Sequence, residues 1–325
     1  MLILVDCGTT NMRLRLYQTP KDAGEAVGLR PLDEIKYKTG ARDGVRESSS
    51  EILTSTLGRG IREICGGAGI APSDVDAVIC SGTLSSHIGI HHIHHVITPA
   101  SIADTAAASE LVRMPGVADI PILFIPGTKG KGDIMRTEVM SGEECELYGI
   151  AALCGIDGAF TLLLPGSYNK IITVDGDGRI DTIYSSMCGE LTAAVSENTL
   201  LRRVVPHPAI REIRPDMLKW GAKFAAKWGL SPALSKVWVM PRLSYDSDDA
   251  ANFMMGAILE GDMRIVSSLQ GQAPFYVGGS SPLRELLLEL FKIYGIPATE
   301  VDGGIARIAP NIGAMLVYLR HMANK

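Results

Sequence analysis

The chain has 325 residues, of which 46% are hydrophobic and 21% charged, and a net charge of −5 at pH 7. At about 150 residues per domain, that length suits two domains, each with a real core. The acidic balance, with no basic tract beyond short pairs such as Arg202-Arg203, argues against a nucleic-acid or membrane-surface partner, because such surfaces need concentrated positive charge.

In chain order, Leu2 to Asp6 reads as a short apolar strand, too short for a signal peptide. The turn Cys7-Gly-Thr-Thr follows. Asn11 to Tyr17 then alternates Met12, Leu14 and Leu16 with Arg13, Arg15 and Tyr17, the period-2 pattern of a half-buried strand, so the opening reads as a hairpin. Ser50 to Cys65 is helical in pattern, capped by the serines at 48–50. Asp76 to Cys80 and Ile120 to Ile125 are buried strands, the first running into Ser81-Gly-Thr-Leu-Ser-Ser and the second ending at Pro126-Gly127. The Gly/Lys-rich stretch Thr128 to Gly132 marks a domain boundary, giving lobes of 1–128 and 129–325. Glu143 to Leu153 is a predicted helix and Phe160 to Leu164 a strand ended by Pro165-Gly166-Ser167. Residues 171–175 and 180–184 form a hairpin around Gly176-Asp177-Gly178. Helices fill most of 189–269. Phe275 to Val277 is a strand running into Gly278-Gly279-Ser280-Ser281, Leu283 to Tyr294 is an amphipathic helix, and the last helix covers 311–322, a candidate to return to the first lobe. The pattern predicts an α/β protein in two lobes.

The longest apolar stretch, Leu147 to Pro165, is broken by Asp157 and three glycines, and a membrane span needs about 20 clean residues. The six cysteines show no CxxC spacing, which predicts reduced thiols and a cytoplasmic protein.

Three small-residue turns stand at the ends of predicted strands: Asp6 to Asn11, Leu164 to Lys170, and Val277 to Ser281. Glycines let the backbone approach a ligand closely and free amide N–H groups to point at phosphate oxygens. Thr9, Thr10 and Ser167 can add hydroxyl donors and Lys170 a positive charge. Asp6, at a strand end, can hold hydrated Mg²⁺, which takes few protein ligands. Taken singly, each turn is most simply a plain hairpin. Neither a Walker A sequence nor GxGxxG is present.

Together the turns resemble a family pattern. Asp6-Cys-Gly-Thr-Thr-Asn11 is similar to the first phosphate motif of the actin/hexokinase/heat-shock ATPase superfamily, Leu164-Pro-Gly-Ser167 to its second, Val277-Gly-Gly-Ser-Ser281 to its adenosine motif, and Ile312-Gly-Ala-Met-Leu316 to its second connecting helix. Within it, Val5-Asp-Cys-Gly-Thr-Thr-Asn-Met-Arg13, Ile125-Pro-Gly127, Val139-Met-Ser-Gly-Glu-Glu144, Pro165-Gly-Ser-Tyr-Asn-Lys170, Gly189-Glu190 and the 278–281 turn resemble the 2-keto-3-deoxygalactonokinase (2-dehydro-3-deoxygalactonokinase) family. The family usually has tryptophan at Cys7, arginine at Ser141, Cys-Lys-Trp at Asn169-Lys170-Ile171, and threonine at Cys188.

The resemblance implies a two-lobed actin-like ATPase (ribonuclease H-like) fold with the phosphate turns facing each other across a cleft. It implies ATP and Mg²⁺ as cofactors, and transfer of phosphate to a 2-keto-3-deoxy sugar acid, 2-dehydro-3-deoxygalactonate first, to give the 6-phosphate. The phosphates would lie on Gly8, Thr9, Thr10, Asn11, Gly166, Ser167 and Lys170, the adenosine on Gly278, Gly279 and Ser280, and the metal on Asp6. Arg13 and Thr83 are candidate substrate contacts, with Arg136 the candidate to replace the missing cation at Ser141. A carboxylate near the attacking hydroxyl should act as base. The candidates are Asp133, Glu143 and Glu144, the last two equally readable as acids at a helix start. The partners are then a small sugar acid and ATP; oligomeric state stays open, a homodimer included.

Five of the seven histidines fall between His87 and His95. Imidazoles suit zinc or nickel, but no carboxylate or cysteine lies between 86 and 98, so ordinary loop or interface residues, or else a loop at the substrate following Ser81-Gly-Thr83, read more naturally. Asp246, Asp248 and Asp249 read as a solvated helix start. Other kinases of the superfamily, a non-catalytic sugar sensor and a metal hydrolase built on the histidines remain alternatives.

Overall fold

The computed structural model describes residues 1–205 and 210–325. Residues 206–209, within the stretch predicted to be mostly helical, lie outside the described residues. The chain divides into two compact units: 1–158 with 174–183 and 304–325, and 159–173 with 184–303. The first change of unit follows Gly158 rather than the Thr128–Gly132 stretch.

Unit 1 opens with β1 (Leu2–Cys7) and β2 (Met12–Tyr17), paired antiparallel so that Asp6 faces Arg13. After α1 (Ala23–Gly28) comes β3 (Asp33–Tyr37), then α2 (Ala41–Glu47), α3 (Glu51–Ala68) and β4 (Ala77–Gly82). Next are β5 (Val96–Ile97), α4 (Ile102–Ala108), β6 (Glu110–Met114) and β7 (Ala118–Phe124). Then follow β8 (Thr128–Lys129), β9 (Val139–Met140) and α5 (Glu143–Cys154).

The main sheet of unit 1 has the order β3-β2-β1-β4-β7-β6, and a second, three-stranded sheet has the order β5-β8-β9. β1, β4 and β7 run parallel. Parallel strands are covered on both faces, which is why β1 and β4 are apolar almost throughout. α3 lays Leu53, Leu57, Ile61 and Ile64, spaced at helical intervals, into the core formed with Val5, Leu14, Val78 and Phe124. Its first amide, that of Glu51, is capped by Ser49 Oγ at 3.1 Å, within the predicted serine run.

In unit 2, β10 (Phe160–Leu164), β11 (Asn169–Val174) and β12 (Ile180–Ser186) precede α6 (Cys188–Asn198), α7 (Pro215–Trp228), α8 (Leu230–Val239) and α9 (Ser247–Leu269). β13 (Phe275–Val277), α10 (Leu283–Tyr294) and β14 (Ala298–Glu300) follow. The sheet order is β12-β11-β10-β13-β14, with β10, β13 and β14 parallel. Asp246 caps α9 by accepting from the amides of Asp248 and Asp249, so the acidic run is a helix start, tied also to Arg214. The tip of the β11–β12 hairpin belongs to unit 1, where Ile180 bridges to Ala100.

The last helix, α11 (Gly303–Ala323), falls almost wholly in unit 1 and starts well before the predicted 311. Pro310 is a helix breaker on sequence grounds, yet the helix runs through it. Packing holds it there: α11 and α5 cross backbone to backbone where Gly149 meets Ala309 and Gly313 meets Cys145. α11 also covers Arg15, which alternation assigned to the solvent face of β2. Arg15, 4% exposed, donates to Arg307 O and Asn311 Oδ1 and pairs with Glu34; Tyr17, assigned to the same face, is fully enclosed as well.

Candidate active site

In unit 1 the first turn is a tight hairpin, with Gly8 N donating to Asn11 O at 3.0 Å. The start of α2 backs it: Ala41 N and Arg42 N donate to Gly8 O and Thr9 O. Thr83, just past β4, donates from Oγ1 to Cys7 O at 3.0 Å and Gly8 O at 3.4 Å. The carbonyls of the turn thus face the protein, while the outer side of Gly8 is open, with nothing within 4 Å of a Cβ built there. Asn11 Nδ2 donates to Thr10 Oγ1 at 2.8 Å. Asp6 Oδ2 lies 3.3 Å from Arg13 Nη1, and both side chains are partly exposed. Its other oxygen has no hydrogen-bond partner among the described residues. A single accessible carboxylate beside an open turn fits a cation that keeps most of its waters. Burial pushes the Cys7 thiol up to about 12, so Cys7 packs rather than reacts.

α5 begins against this turn, Gly142 packing directly on Gly82, the residue paired with Cys7. The predicted acids Glu143 and Glu144 both spend an oxygen on their own helix start: Glu143 Oε2 accepts from Ser141 N and Glu144 Oε1 from Gly142 N, each at 2.8 Å. Asp133 lies elsewhere, exposed at the β8–β9 tip with Oδ1 accepting from Met135 N. Arg136 shares that exposed tip, whereas Ser141 follows the far end of β9, so the structure does not bring the two together.

The sequence reading passed over Glu146. It sits one helical turn beyond Gly142, and among the described residues no side-chain hydrogen bond engages it. Its carboxyl is pushed up to about 8, first by desolvation and then by the charges of Asp6 and Glu143, with Arg13 opposing. A carboxyl so perturbed, close to an open glycine turn at a strand end, is a candidate functional group. One more acid on a helix gives no sequence signal; only the fold sets it near Asp6.

In unit 2 the second turn is held from behind. Asn169, 2% exposed, accepts Gly166 N at 3.1 Å through Oδ1 and donates from Nδ2 to Asp262 Oδ2 at 2.8 Å. Burial raises the Asp262 carboxyl above its usual range. Glu190 N, at the start of α6, donates to Ser167 O at 3.0 Å. Lys170, expected as a phosphate cation, is 6% exposed and donates from Nζ to Ser185 Oγ at 2.8 Å, with the Tyr168 ring 5.7 Å away.

The third turn lies on the second. Gly279 has φ +78°, and a Cβ there would come within 2.8 Å of the Pro165 ring. Ser280 follows, its carbonyl accepting Arg284 N at the start of α10. Two turns far apart in sequence thus form one surface. Gly279→Ala, strained in φ and overpacked, is expected to cost about 2–4 kcal/mol in unfolding experiments and to raise the KM for nucleotide more than that for the sugar. Equal changes in both KM values would reduce the turn to a helix start.

Among the described residues no group of three or more His, Cys, Asp or Glu side chains converges on one point. His91 Nε2 lies 2.7 Å from Glu110 Oε2, and its ring packs on Phe124. His95 Nε2 is 3.3 Å from Ser141 Oγ. All six cysteines are free thiols, five of them buried. No described helix is long and apolar enough to cross a membrane.

The sequence profile of the 2-keto-3-deoxy-galactonokinase family matches residues 6–310. A search of curated proteins finds no match. Among solved structures, a candidate 2-dehydro-3-deoxygalactonokinase from Sinorhizobium meliloti superposes with TM-score 0.78 and 19% identity, covering 98% of each chain. The activator of 2-hydroxyisocaproyl-CoA dehydratase from Clostridium difficile, solved with bound ADPNP, gives TM-score 0.51 and 12% identity, covering 99% of this chain and 96% of that one. Component A of (R)-2-hydroxyglutaryl-CoA dehydratase from Acidaminococcus fermentans gives 0.50 and 13%, covering 100% and 99%. At these identities the likeness is one of fold, the α/β actin-like ATPase fold.

Proposed function

The chain belongs to the 2-keto-3-deoxy-galactonokinase family and is a sugar kinase, a phosphotransferase acting on an alcohol group, and from that premise we propose that it uses ATP with Mg²⁺ to phosphorylate a 2-keto-3-deoxy sugar acid, 2-dehydro-3-deoxygalactonate foremost, at its terminal hydroxyl to give the 6-phosphate. The observation that supports the nucleotide most is the seating of Gly279 on Pro165, which makes one surface of the second phosphate turn and the adenosine turn. Gly278, Gly279 and Ser280 receive the adenosine; Gly166 and Ser167 offer polar groups to the phosphates. Lys170 supports that turn through Ser185 and Tyr168.

In unit 1, Gly8, Thr9, Thr10 and Asn11 cradle the phosphate end, and Asp6 holds the cation, which neutralises charge on the phosphates when bound. Arg13 pairs with Asp6 and stands ready for the transferring phosphoryl charge. Thr83 fixes the turn through the Cys7 and Gly8 carbonyls and acts by positioning.

Glu146 takes the proton of the attacking hydroxyl. Glu143 and Glu144 build the helix start that carries it. Phosphoryl transfer asks mainly for positioning and charge neutralisation, so one correctly placed carboxylate suffices. The protein works as a cytoplasmic enzyme.

A coupled assay for ADP across keto-deoxy sugar acids, aldonates and neutral sugars tests the reading. The expected result is the highest kcat/KM for a 2-keto-3-deoxy acid with a free terminal hydroxyl. A preference for neutral sugars would overturn the substrate class.

A further inference from the structure

Three positions line up at one end of the small sheet in unit 1. Val96 pairs with Thr128, and Thr128 with Met140, so His95, Gly127 and Ser141 stand side by side just beyond those pairs. Val96 N donates to Gly127 O at 2.9 Å and pins this register. Gly127 is bare where the other two meet: a Cβ there would fall 2.8 Å from both His95 Cδ2 and Ser141 Oγ. The imidazole and the hydroxyl therefore meet beside the buried Gly127 backbone, 3.3 Å apart, with Met140 O closing the space behind them.

An ammonium and further imidazoles stand around this point. Lys129 is exposed on β8, and His87, His92 and His94 are exposed on the same loop as His95. Burial and the charges of His92, His87, Lys129 and His94 together hold the half-buried His95 below its usual range. No carboxylate is among the groups that weigh most on it. Glu143 accepts from the Ser141 amide at 2.8 Å but leaves the hydroxyl, the imidazole and the ammonium as donors, and a carboxylate takes hydrogen bonds from all three together.

The cluster also borders the phosphate end of the site. Its loop folds back on the end of β4, with Ile90 N donating to Leu84 O and Ile93 N to Ser85 O, both at 3.0 Å. Thr83, at that same strand end, donates to Cys7 and Gly8. Ser141 leads directly into Gly142, packed on Gly82.

We propose that His95, Ser141 and Lys129 form the subsite for the carboxylate of an acidic sugar, holding one end of the substrate while its far hydroxyl reaches the phosphate end of unit 1. This rests on the sugar-acid kinase reading above. It assigns the histidine-rich loop to substrate selection and gives the preference for acids over neutral sugars a physical cause.

Steady-state kinetics with a 2-keto-3-deoxy sugar acid and its methyl ester test the subsite in the intact protein. Losing a hydrogen bond to a charged group corresponds to a ~10- to 100-fold loss of binding. His95→Ala should therefore raise the KM for the acid by about that factor, leave the KM for ATP within about twofold, and remove most of the preference for acid over ester. Lys129→Ala, at an exposed position, should do the same more weakly and guards against a folding defect at His95. Adding Ser141→Arg to His95→Ala should restore part of the acid affinity by placing a guanidinium at the same spot. An active wild type whose acid-to-ester ratio survives both alanine changes overturns the subsite alone. A wild type inert toward every sugar acid overturns the kinase reading and the subsite together.

Discussion

Glu146→Gln is expected to lower kcat by ~10² to 10⁴, the range for loss of a positioned general base, with little change in the KM for nucleotide. The same substitution should not destabilise the protein. The folded carboxyl, at about 8, lies above its ordinary value of 4.5. Between those values the native state keeps a proton that the unfolded chain releases, so stability falls as pH rises through that window. Glutamine cannot ionise and escapes the penalty. The Tm of the variant should therefore exceed that of wild type by a margin near zero below pH 4.5 and greatest at pH 8 and above. Loss of kcat in a variant that is no less stable separates a catalytic base from a carboxyl that only supports the fold. A variant that keeps its kcat to within about threefold returns the base to Glu143, Glu144 or Asp133.

Asp6→Ala should reduce turnover by ~10³ or more, because a metal-held phosphate group carries several kcal/mol of the transition-state stabilisation. The fold should survive, since the Asp6–Arg13 pair is partly exposed and such pairs contribute at most about 1 kcal/mol. Circular dichroism and Tm check the fold; a coupled assay over a range of Mg²⁺ concentrations checks the chemistry. Near wild-type activity in a folded variant would remove the cation from this turn.

Much of the fold was legible because its signals are local. The apolar β1, the β1–β2 turn, α3, the β11–β12 hairpin and α10 each carry a complete period or turn pattern. What escaped depends on distant packing. Arg15 reads as a solvent-facing residue on alternation alone, and only α11, far away in sequence, buries it and supplies Arg307 O and Asn311. Pro310 reads as a boundary, and only the crossing with α5 holds the helix through it. Strands β5, β8 and β9 are two residues each, too short to show any period.

The candidate site divides along the same line. The three turns were legible as glycine- and hydroxyl-rich strand ends, and the structure brings the second and third into contact. The difference among the acids was not. Glu143, Glu144 and Glu146 share one helix start, and only the fold shows which backbone amides they cap and which charges they face. Lys170 reads as a phosphate cation from its place in the motif, and the fold buries it to 6% exposure beside Ser185. Asn169 reads as a departure from the family pattern, and its partner Asp262, on α9, makes it a brace for the turn.

The most direct test of the central claim is the product itself. Incubation of the protein with ATP, Mg²⁺ and 2-dehydro-3-deoxygalactonate, followed by ³¹P and ¹³C NMR, should give one phosphate monoester on the terminal carbon and ADP in equal amount. ADP accompanied only by inorganic phosphate, or a phosphate on any other position, would contradict the account.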